Sequence, residues 1–181
     1  LCAYHLHAGR PRPERNLTDG MNGAYLGPSF TQSDIERRLE AAGARFETVS
    51  EPVMIERTAH DPAAGRAIGW FPGRMEFGPR ALGNRSILAS PLDPYSTENL
   101  NVFIKHREPF RKFAASVPAE LAAEYFDAGP NARNLATVGR VKPQHRETFA
   151  SAILGKDIVR VHAVVEADNP LYHRLLHEAG K

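Results

Sequence analysis

Cysteine is almost missing from this 181-residue sequence: Cys2 is the single example, so no disulfide can join two parts of the chain. A lone thiol is typical of proteins that work in a reducing compartment. No apolar run approaches the roughly 20 residues that a bilayer-spanning helix requires, and no secretory signal peptide is recognisable. We therefore expect a soluble cytoplasmic protein with no membrane partner.

Net charge is also small. The chain carries 23 Lys and Arg against 21 Asp and Glu, which gives a formal charge of +2 and argues against a broad nucleic-acid-binding surface. The basic residues are unevenly distributed, however, because residues 74–112 contain seven Lys or Arg and four Asp or Glu. We expect a local cationic site and no nucleic-acid partner.

Several common catalytic motifs are absent. No Gly-Lys-Ser or Gly-Lys-Thr occurs, which excludes a phosphate-binding loop of the Walker A type. The eight histidines are scattered, and no nucleophile elbow accompanies them. His106 and His162 lie near basic residues but have no carboxylates in register with them. We expect ordinary structural roles for both, and no metal site within this chain.

The most informative stretch runs from Gly73 to Ala89 and reads Gly-Arg-Met-Glu-Phe-Gly-Pro-Arg-Ala-Leu-Gly-Asn-Arg-Ser-Ile-Leu-Ala. Glycine lets the backbone approach a ligand closely, and arginine binds phosphate or carboxylate oxygens in pairs. A tight turn with water-facing arginines is the simpler alternative. Three arginines interleaved with three glycines, between two predicted strands, favour an anion site. The six residues are Gly73, Gly78, Gly83, Arg74, Arg80 and Arg85.

Periodicity and capping residues predict alternating strands and helices from about residue 25 onward, which indicates an α/β domain. Ser33 with Glu36 is expected to cap one helix, and Asn169 with Pro170 to begin another. Strands are expected at 45–49, 67–71, 86–89, 113–117 and 157–166. Helices are expected at 1–8, 33–42, 54–64, 97–105, 119–126, 146–154 and from 170 onward.

Two predicted elements carry basic residues. The helix near 97–105 should bury Leu100, Phe103 and Ile104 and end at Lys105. On the valine-rich strand at 157–166, alternation places Arg160 and His162 on one face. The other face carries Val159, Val161, Ala163 and Val165.

The Gly73–Ala89 stretch resembles the signature of the ATP-dependent O-carbamoyltransferases, which modify nodulation factors and aminoglycoside, cephamycin and aminocoumarin antibiotics. The resemblance extends upstream to Tyr25–Phe30, which reads Tyr-Leu-Gly-Pro-Ser-Phe, and downstream to Asn101–Arg111, which reads Asn-Val-Phe-Ile-Lys-His-Arg-Glu-Pro-Phe-Arg. A match of this length and composition is specific, and it covers most of the chain.

The resemblance implies a fold of the YrdC (threonylcarbamoyl-AMP synthase) type, with a twisted mixed sheet flanked by helices. Residues 1–12 would be the last helix of an actin-like domain, 13–24 a linker, and 25–181 the YrdC-like domain, truncated at its carboxy-terminal end. Because the chain has no initiator methionine and stops before the family's Asn-Thr-Ser-Phe-Asn stretch, we expect a fragment. The actin-like domain, with its iron, would lie outside it.

The activity that the resemblance implies is the formation of carbamoyl adenylate from carbamoyl phosphate and ATP, with Mg²⁺ accompanying the nucleotide. The carbamoyl group would then pass, in the actin-like domain, to a hydroxyl of a sugar or natural product. The alternative is a non-catalytic module of the same fold that binds a nucleotide or RNA phosphate.

Site residues are carried over by position from the family. The predicted catalytic residues are Arg80, Lys105 and Arg111. The predicted phosphate-binding residues are Arg80, Arg85, Ser86, Lys105, Arg111 and Arg160. Lys105 and Arg160 should converge on one pocket, because an anion between them would offset their repulsion.

Neighbouring side chains bear on how these residues are placed. Glu76 and Glu108 are expected to pair with nearby arginines. The chain has Lys112 and Ala115 where the family has prolines, which removes two fixed φ angles beside Arg111.

Overall fold

The computed structural model describes residues 6–9, 11 and 21–181, and of Asn22 the backbone alone. The predicted helix at 1–8, the predicted domain remnant at 1–12 and the predicted linker at 13–24 lie mostly outside the described residues. Every helix in the described part falls short of the length and apolar character that a bilayer crossing requires.

Six strands form two sheets in the part of the chain that the structure describes. The strands are β1 (Ile68–Trp70), β2 (Ser86–Leu88), β3 (Ala115–Pro118), β4 (Phe126–Asp127), β5 (Val138–Val141) and β6 (Ile158–Val164). β1 and β2 form an antiparallel pair, and the other four lie in the order β3-β6-β5-β4. β3 runs parallel to β6, whereas β5 is antiparallel to both β6 and β4. The predicted α/β class with a mixed sheet is confirmed.

The central strand of the larger sheet is β6, and both of its faces are covered. Val159 and Val161 are completely buried against a core that includes Phe126 and Phe149. The opposite face carries Arg160, which is half-buried, and His162, which is only 3% exposed. The predicted alternation is correct, but the face that carries His162 is packed against Tyr172 and does not face water.

Among the described residues, five α-helices accompany the sheets. They are α1 (Gln32–Ala41), α2 (Glu51–Ala63), α3 (Ser96–Asn99), α4 (Ala122–Tyr125) and α5 (Pro170–Ala179). A second core lies between α2, α5 and β1 and contains Ile55, Trp70, Val164, Tyr172 and Leu175. Asn169 begins α5 as predicted, because its side chain accepts a hydrogen bond from the Tyr172 N–H.

The predicted helix at 97–105 is correct in place but wrong in its packing. α3 is followed by a π-helical segment, Leu100–Lys105, whose wider turns rotate the side chains away from an α-helical stripe. Leu100 is buried as expected, but Phe103 is 72% exposed and Ile104 is 49% exposed. Asn101 is completely buried in their place.

Tertiary contacts override local signals in one other segment. The predicted helix at 146–154 is instead a loop containing a short 3₁₀ turn, Ala150–Ala152, and a second such turn, Pro143–His145, precedes it. The Ser151 carbonyl accepts from Thr97 Oγ1 at 2.7 Å, and Ser151 Oγ donates to the Pro91 carbonyl at 2.9 Å. These distant partners take polar groups that a helix would have used itself.

Three smaller expectations were wrong. The predicted strand at 45–49 has no regular secondary structure and pairs with no strand in the described part. The cap of α1 is Thr31 rather than Ser33, since Thr31 Oγ1 accepts from the Asp34 N–H. β5 lies in a stretch predicted to be a loop, where glycine and polar residues interrupt the apolar pattern.

Gly83 lies against the ring of Tyr172, and no other residue fits there. Its φ is +100°, and a Cβ at this position would come within 2.3 Å of the Tyr172 ring. The contact ties the Gly73–Ala89 loop to α5.

We expect Gly83→Ala to lower the free energy of unfolding of the 181-residue chain by about 2–4 kcal/mol, because backbone strain adds to overpacking. Gly155→Ala is the matched control, since Gly155 has φ +121° but nothing within 4 Å of an added Cβ. Urea unfolding of both variants measures the difference. Equal losses would mean that the Tyr172 contact contributes nothing.

Candidate anion site

The buried carboxylate of Glu76 organises the Gly73–Ala89 loop. Glu76 is 4% exposed, and its Oε1 accepts from the N–H groups of Leu82 at 2.5 Å and Asn84 at 2.8 Å. Its Oε2 accepts from Arg85 Nε at 3.0 Å. Burial alone raises the pKa of this carboxyl, but the two N–H donors and Arg85 outweigh it, so the pKa lies below its ordinary value. The predicted role of Glu76 as an arginine partner is confirmed.

A second layer of hydrogen bonds fastens the loop to the start of α5. Asn169 Nδ2 donates to Asn84 Oδ1 at 2.8 Å and to Tyr25 Oη at 3.1 Å. Tyr25 Oη in turn donates to the Leu82 carbonyl at 2.6 Å. The residue that caps α5 therefore also fixes the shape of the loop.

Arg85 and Ser86 are engaged within the loop itself. Arg85 Nη2 donates to the Gly78 carbonyl at 3.0 Å, in addition to its pair with Glu76. Ser86 Oγ accepts from the Gly83 N–H at 3.1 Å. Both residues thus have a structural role in the loop, while phosphate binding by them stays a prediction.

Arg80, by contrast, is free of such contacts. It is exposed, and no described residue forms a hydrogen bond or ion pair with it. Together with Arg160 and residues 135–138 it lines an open cleft of about 490 Å³. The glycine loop thus presents one uncommitted guanidinium at the mouth of a cleft large enough for a small ligand.

Arg160 lies at the centre of a group of cations. Its Nη2 donates to the Lys112 carbonyl at 2.6 Å, just before β3 begins. Burial is the main cause that lowers the pKa of Arg160, and the positive charges of Arg80, Arg107 and Arg111 lower it further. No carboxylate among the described residues acts on it in the opposite direction. Four arginines therefore gather where β3 and β6 begin.

Asn101 positions two of these arginines, a role that sequence analysis missed. Its Oδ1 accepts from Arg107 Nε at 2.6 Å, and its Nδ2 donates to the carbonyls of Pro109 and Arg111 at 3.2 and 2.8 Å. Arg107 also lies over the Phe113 ring, 4.7 Å from its centroid. The sequence signal was an asparagine within an apolar run, because a polar side chain at such a position needs hydrogen-bond partners if it is buried.

The other predicted pairings have mixed outcomes. Arg111 lies 3.8 Å from Glu108, as expected for a loose surface pair. Lys105 ends the π-helical segment in an exposed position, with no hydrogen bond or ion pair to the residues that the structure describes. It is not among the charges that act on Arg160, so their convergence stays a prediction.

Thr137 is a second residue that sequence analysis missed. It lines the cleft between Arg80 and Arg160, and its buried Oγ1 has no hydrogen-bond partner in the described part of the chain. A buried hydroxyl without a partner is costly, and such groups often mark places where a ligand binds. Thr137 lies outside every predicted helix and strand, so its sequence context did not indicate a role in a site.

His162 is buried and uncharged near neutral pH. Its Nδ1 lies 3.2 Å from Ser116 Oγ, and its ring stacks on Tyr172 with centroids 6.0 Å apart. Burial lowers the pKa of His162 to about 4, although the charge of Glu76 acts in the opposite direction. These contacts support the structural role that we expected for this histidine.

Comparison with known proteins identifies relatives over nearly the whole chain. Residues 59–181 match the family model described as "Carbamoyltransferase C-terminus". The chain is 35% identical to an uncharacterised protein of Synechocystis, covering 98% of the chain and 30% of that protein.

Two relatives have informative names. The nodulation protein NolNO of Sinorhizobium fredii is 40% identical over 96% of the chain and 25% of its own length. The 3'-hydroxymethylcephem-O-carbamoyltransferase of Streptomyces clavuligerus is 34% identical over 74% of the chain and 25% of its own length. The chain thus spans a third or less of the curated relatives that it matches.

The low pKa of His162 predicts a specific loss of stability in acid. An unfolded histidine takes up its proton near pH 6.5 and the folded one near pH 4. Between these values the unfolded state binds more protons, so stability is full above the upper value and falls as the pH drops towards the lower one. The difference between the two pKa values of His162 corresponds to a loss of unfolding free energy on the order of 3 kcal/mol.

We expect His162→Gln to remove this part of the pH dependence, while His60→Gln, at an exposed position on α2, leaves it unchanged. Urea unfolding of the 181-residue chain across the acid range measures the three profiles. Parallel profiles for the wild type and His162→Gln would contradict the assignment.

Proposed function

The chain belongs to the carbamoyltransferase family as its carboxy-terminal domain, and we propose that it forms carbamoyl adenylate from carbamoyl phosphate and ATP. The observation that carries this proposal is the half-buried Arg160, which lines one cleft together with Arg80 and is acted on by the charges of Arg80, Arg107 and Arg111. No carboxylate among the described residues acts on it.

Bringing several cations together in a partly buried position costs free energy. Mutual repulsion and loss of hydration both oppose the arrangement, and the lowered pKa of Arg160, caused first by burial and then by its three neighbours, expresses both effects. A bound polyanion would reverse the balance by supplying several negative charges at once. Carbamoyl phosphate and ATP are anions of this kind, and both carry phosphate oxygens that suit arginine forks.

The proposed reaction balances as follows. Water cleaves the phosphate from carbamoyl phosphate, which releases inorganic phosphate and leaves carbamate. A carbamate oxygen then bonds to the α-phosphorus of ATP as the bond to the β-phosphate oxygen breaks, and pyrophosphate leaves. The products are carbamoyl adenylate, pyrophosphate and inorganic phosphate.

The protein's part in this chemistry is mainly electrostatic. Charge accumulates on the oxygens around the α-phosphorus and on departing pyrophosphate, and fixed guanidinium groups stabilise it. We assign this role to Arg80, Arg111 and Arg160, with Lys105 at the exposed edge. ATP would enter as its Mg²⁺ complex, and the protein side chains that we assign to the site are cations and hydroxyls.

The glycine loop and Thr137 would complete the site. Arg85 and Ser86, held by Glu76 and the Gly83 N–H, would keep the loop in shape and face the phosphates with their remaining hydrogen-bonding capacity. The Thr137 hydroxyl would gain its missing partner from a ligand oxygen. Transfer to an acceptor hydroxyl would take place elsewhere in a longer protein, as suits a chain that spans a third or less of its relatives.

We expect Arg80→Ala to abolish most carbamoyl-phosphate-dependent release of pyrophosphate from ATP by the complete gene product. The loss of one charge-assisted clamp should cost about 2–4 kcal/mol of transition-state stabilisation, or roughly 30- to 1,000-fold in rate. The fold should be unaffected, because Arg80 is exposed and bonded to no described residue.

Arg45→Ala is the matched control, since Arg45 is also exposed but lies before α2, away from the cleft. Unchanged pyrophosphate release by Arg80→Ala would refute the assignment. ATP binding by the wild-type protein without any pyrophosphate release would favour the alternative, a nucleotide-binding module that performs no chemistry.

We expect Thr137→Val to weaken nucleotide binding by about tenfold, because it removes one hydrogen bond to the ligand. Valine has nearly the same shape, so the free energy of unfolding should stay the same or rise once the unpaired hydroxyl is gone. Calorimetric titration of the 181-residue chain with ATP, beside urea unfolding, measures both quantities. Lower stability with unchanged affinity would mean that the hydroxyl serves the fold alone.

A further inference from the structure

We propose that Glu120, His173 and His177 form a binding site for a divalent transition-metal ion of the zinc class, separate from the anion site. Sequence analysis predicted no metal site in this chain, because the glutamate is more than 50 residues away from the two histidines along the sequence.

The two histidines lie one turn apart on α5 and face the same carboxylate. Glu120 Oε1 is 2.9 Å from His173 Nε2 and 2.8 Å from His177 Nε2. The two imidazole rings meet edge to face, with centroids 4.7 Å apart. One ligand atom from each of the three residues lies within 4.8 Å of the other two. Glu120 belongs to a 3₁₀ turn, Ala119–Leu121, that directly follows β3.

Two of the three separations between ligand atoms are already close to those that an ion requires. Zinc binds nitrogen and oxygen ligands at about 2.0–2.2 Å in a tetrahedron, so neighbouring ligand atoms are about 3.3 Å apart. The observed separations from Glu120 to the two imidazoles are shorter by only a few tenths of an ångström. Two histidines and a carboxylate are also a ligand set that zinc commonly takes.

The degrees of exposure suit a site that an ion can enter. The His173 side chain is 8% exposed, which fixes one ligand in the packed interior. The Glu120 and His177 side chains are 52% and 45% exposed, so the outer side is open. A fourth position remains for water or for a group from another molecule.

The charge of the cluster points the same way. Glu120 supplies a carboxylate, which is ionised near neutral pH and is a ligand that a divalent cation takes. A divalent ion would neutralise this carboxylate while leaving both imidazoles uncharged. Without an ion, the same three groups form a hydrogen-bonded cluster, which is the competing interpretation.

The position of the site gives the ion a structural effect. It would join the end of β3 to α5, the helix whose first turn contains Tyr172 and whose cap is Asn169. Bound metal should therefore stabilise the docking of α5 without entering the phosphate cleft.

The test uses the 181-residue chain after treatment with a chelator, with Zn²⁺ as the probe. We expect calorimetry to give one ion per chain, a melting temperature that rises with Zn²⁺ concentration, and visible absorption typical of four-coordinate Co²⁺ when cobalt replaces zinc. His177→Ala and Glu120→Gln should each weaken zinc binding by at least about 100-fold, because each removes one of three ligands.

His60→Ala, at an exposed position on α2, is the matched control and should bind zinc like the wild type. His177→Ala changes an exposed residue, so its fold should survive, and circular dichroism checks this directly. Glu120→Gln keeps one carbonyl oxygen as a hydrogen-bond acceptor for the imidazoles. A melting temperature that changes in the variants but never responds to zinc in the wild type would establish the hydrogen-bonded cluster and overturn the proposal. Undiminished zinc binding in either variant would overturn it too.

Discussion

One buried carboxylate sets the geometry on which the rest of the site depends. Glu76 receives two backbone N–H groups and one guanidinium within its own loop. Hydrogen bonds to an ionised acceptor are among the stronger ones in proteins, and here they act where water is excluded. The loop therefore cannot adopt other conformations without leaving a buried charge unpaired, which is a large penalty.

This constraint divides the arginines of the loop into two kinds. Arg85 satisfies the buried carboxylate, whereas Arg80 follows Gly78-Pro79 and is left to face the cleft. On the other side of the cleft, Asn101 fixes Arg107 and the backbone of Arg111 in the same manner. Glu76 thus fixes one side of the cleft and Asn101 the other. The guanidinium groups that these two residues do not bind are left to act on a ligand. Preorganised charge of this kind is what phosphate chemistry requires of a protein.

Sequence reasoning succeeded where the signal was local and periodic. The valine alternation located β6, and Asn169-Pro170 located the start of α5. Both signals depend only on residues that are close together in the sequence. The glycine–arginine composition also predicted the loop between β1 and β2, whereas anion binding by that loop stays a proposal.

The failures concern features that only tertiary structure decides. The π-helical turn at Leu100–Lys105 exchanges an expected apolar stripe for a buried Asn101, whose partners lie eight and ten residues further on. Thr137 and the cluster at Glu120 depend on packing between segments that are far apart in sequence. No propensity of single residues could have predicted them.

The parallel pairing of β3 with β6 also has a consequence for how the chain folds. Ser116 and His162, which face each other in this pair, are separated by 46 residues. Since β6 lies between β3 and β5 in the sheet, neither can find its central neighbour until residues 158–164 have been synthesised and released. Non-local pairing of this kind slows folding and leaves strand edges unprotected meanwhile. The nascent chain therefore carries β3 and β5 with unpaired edges until β6 has emerged, and exposed edges of this kind favour aggregation.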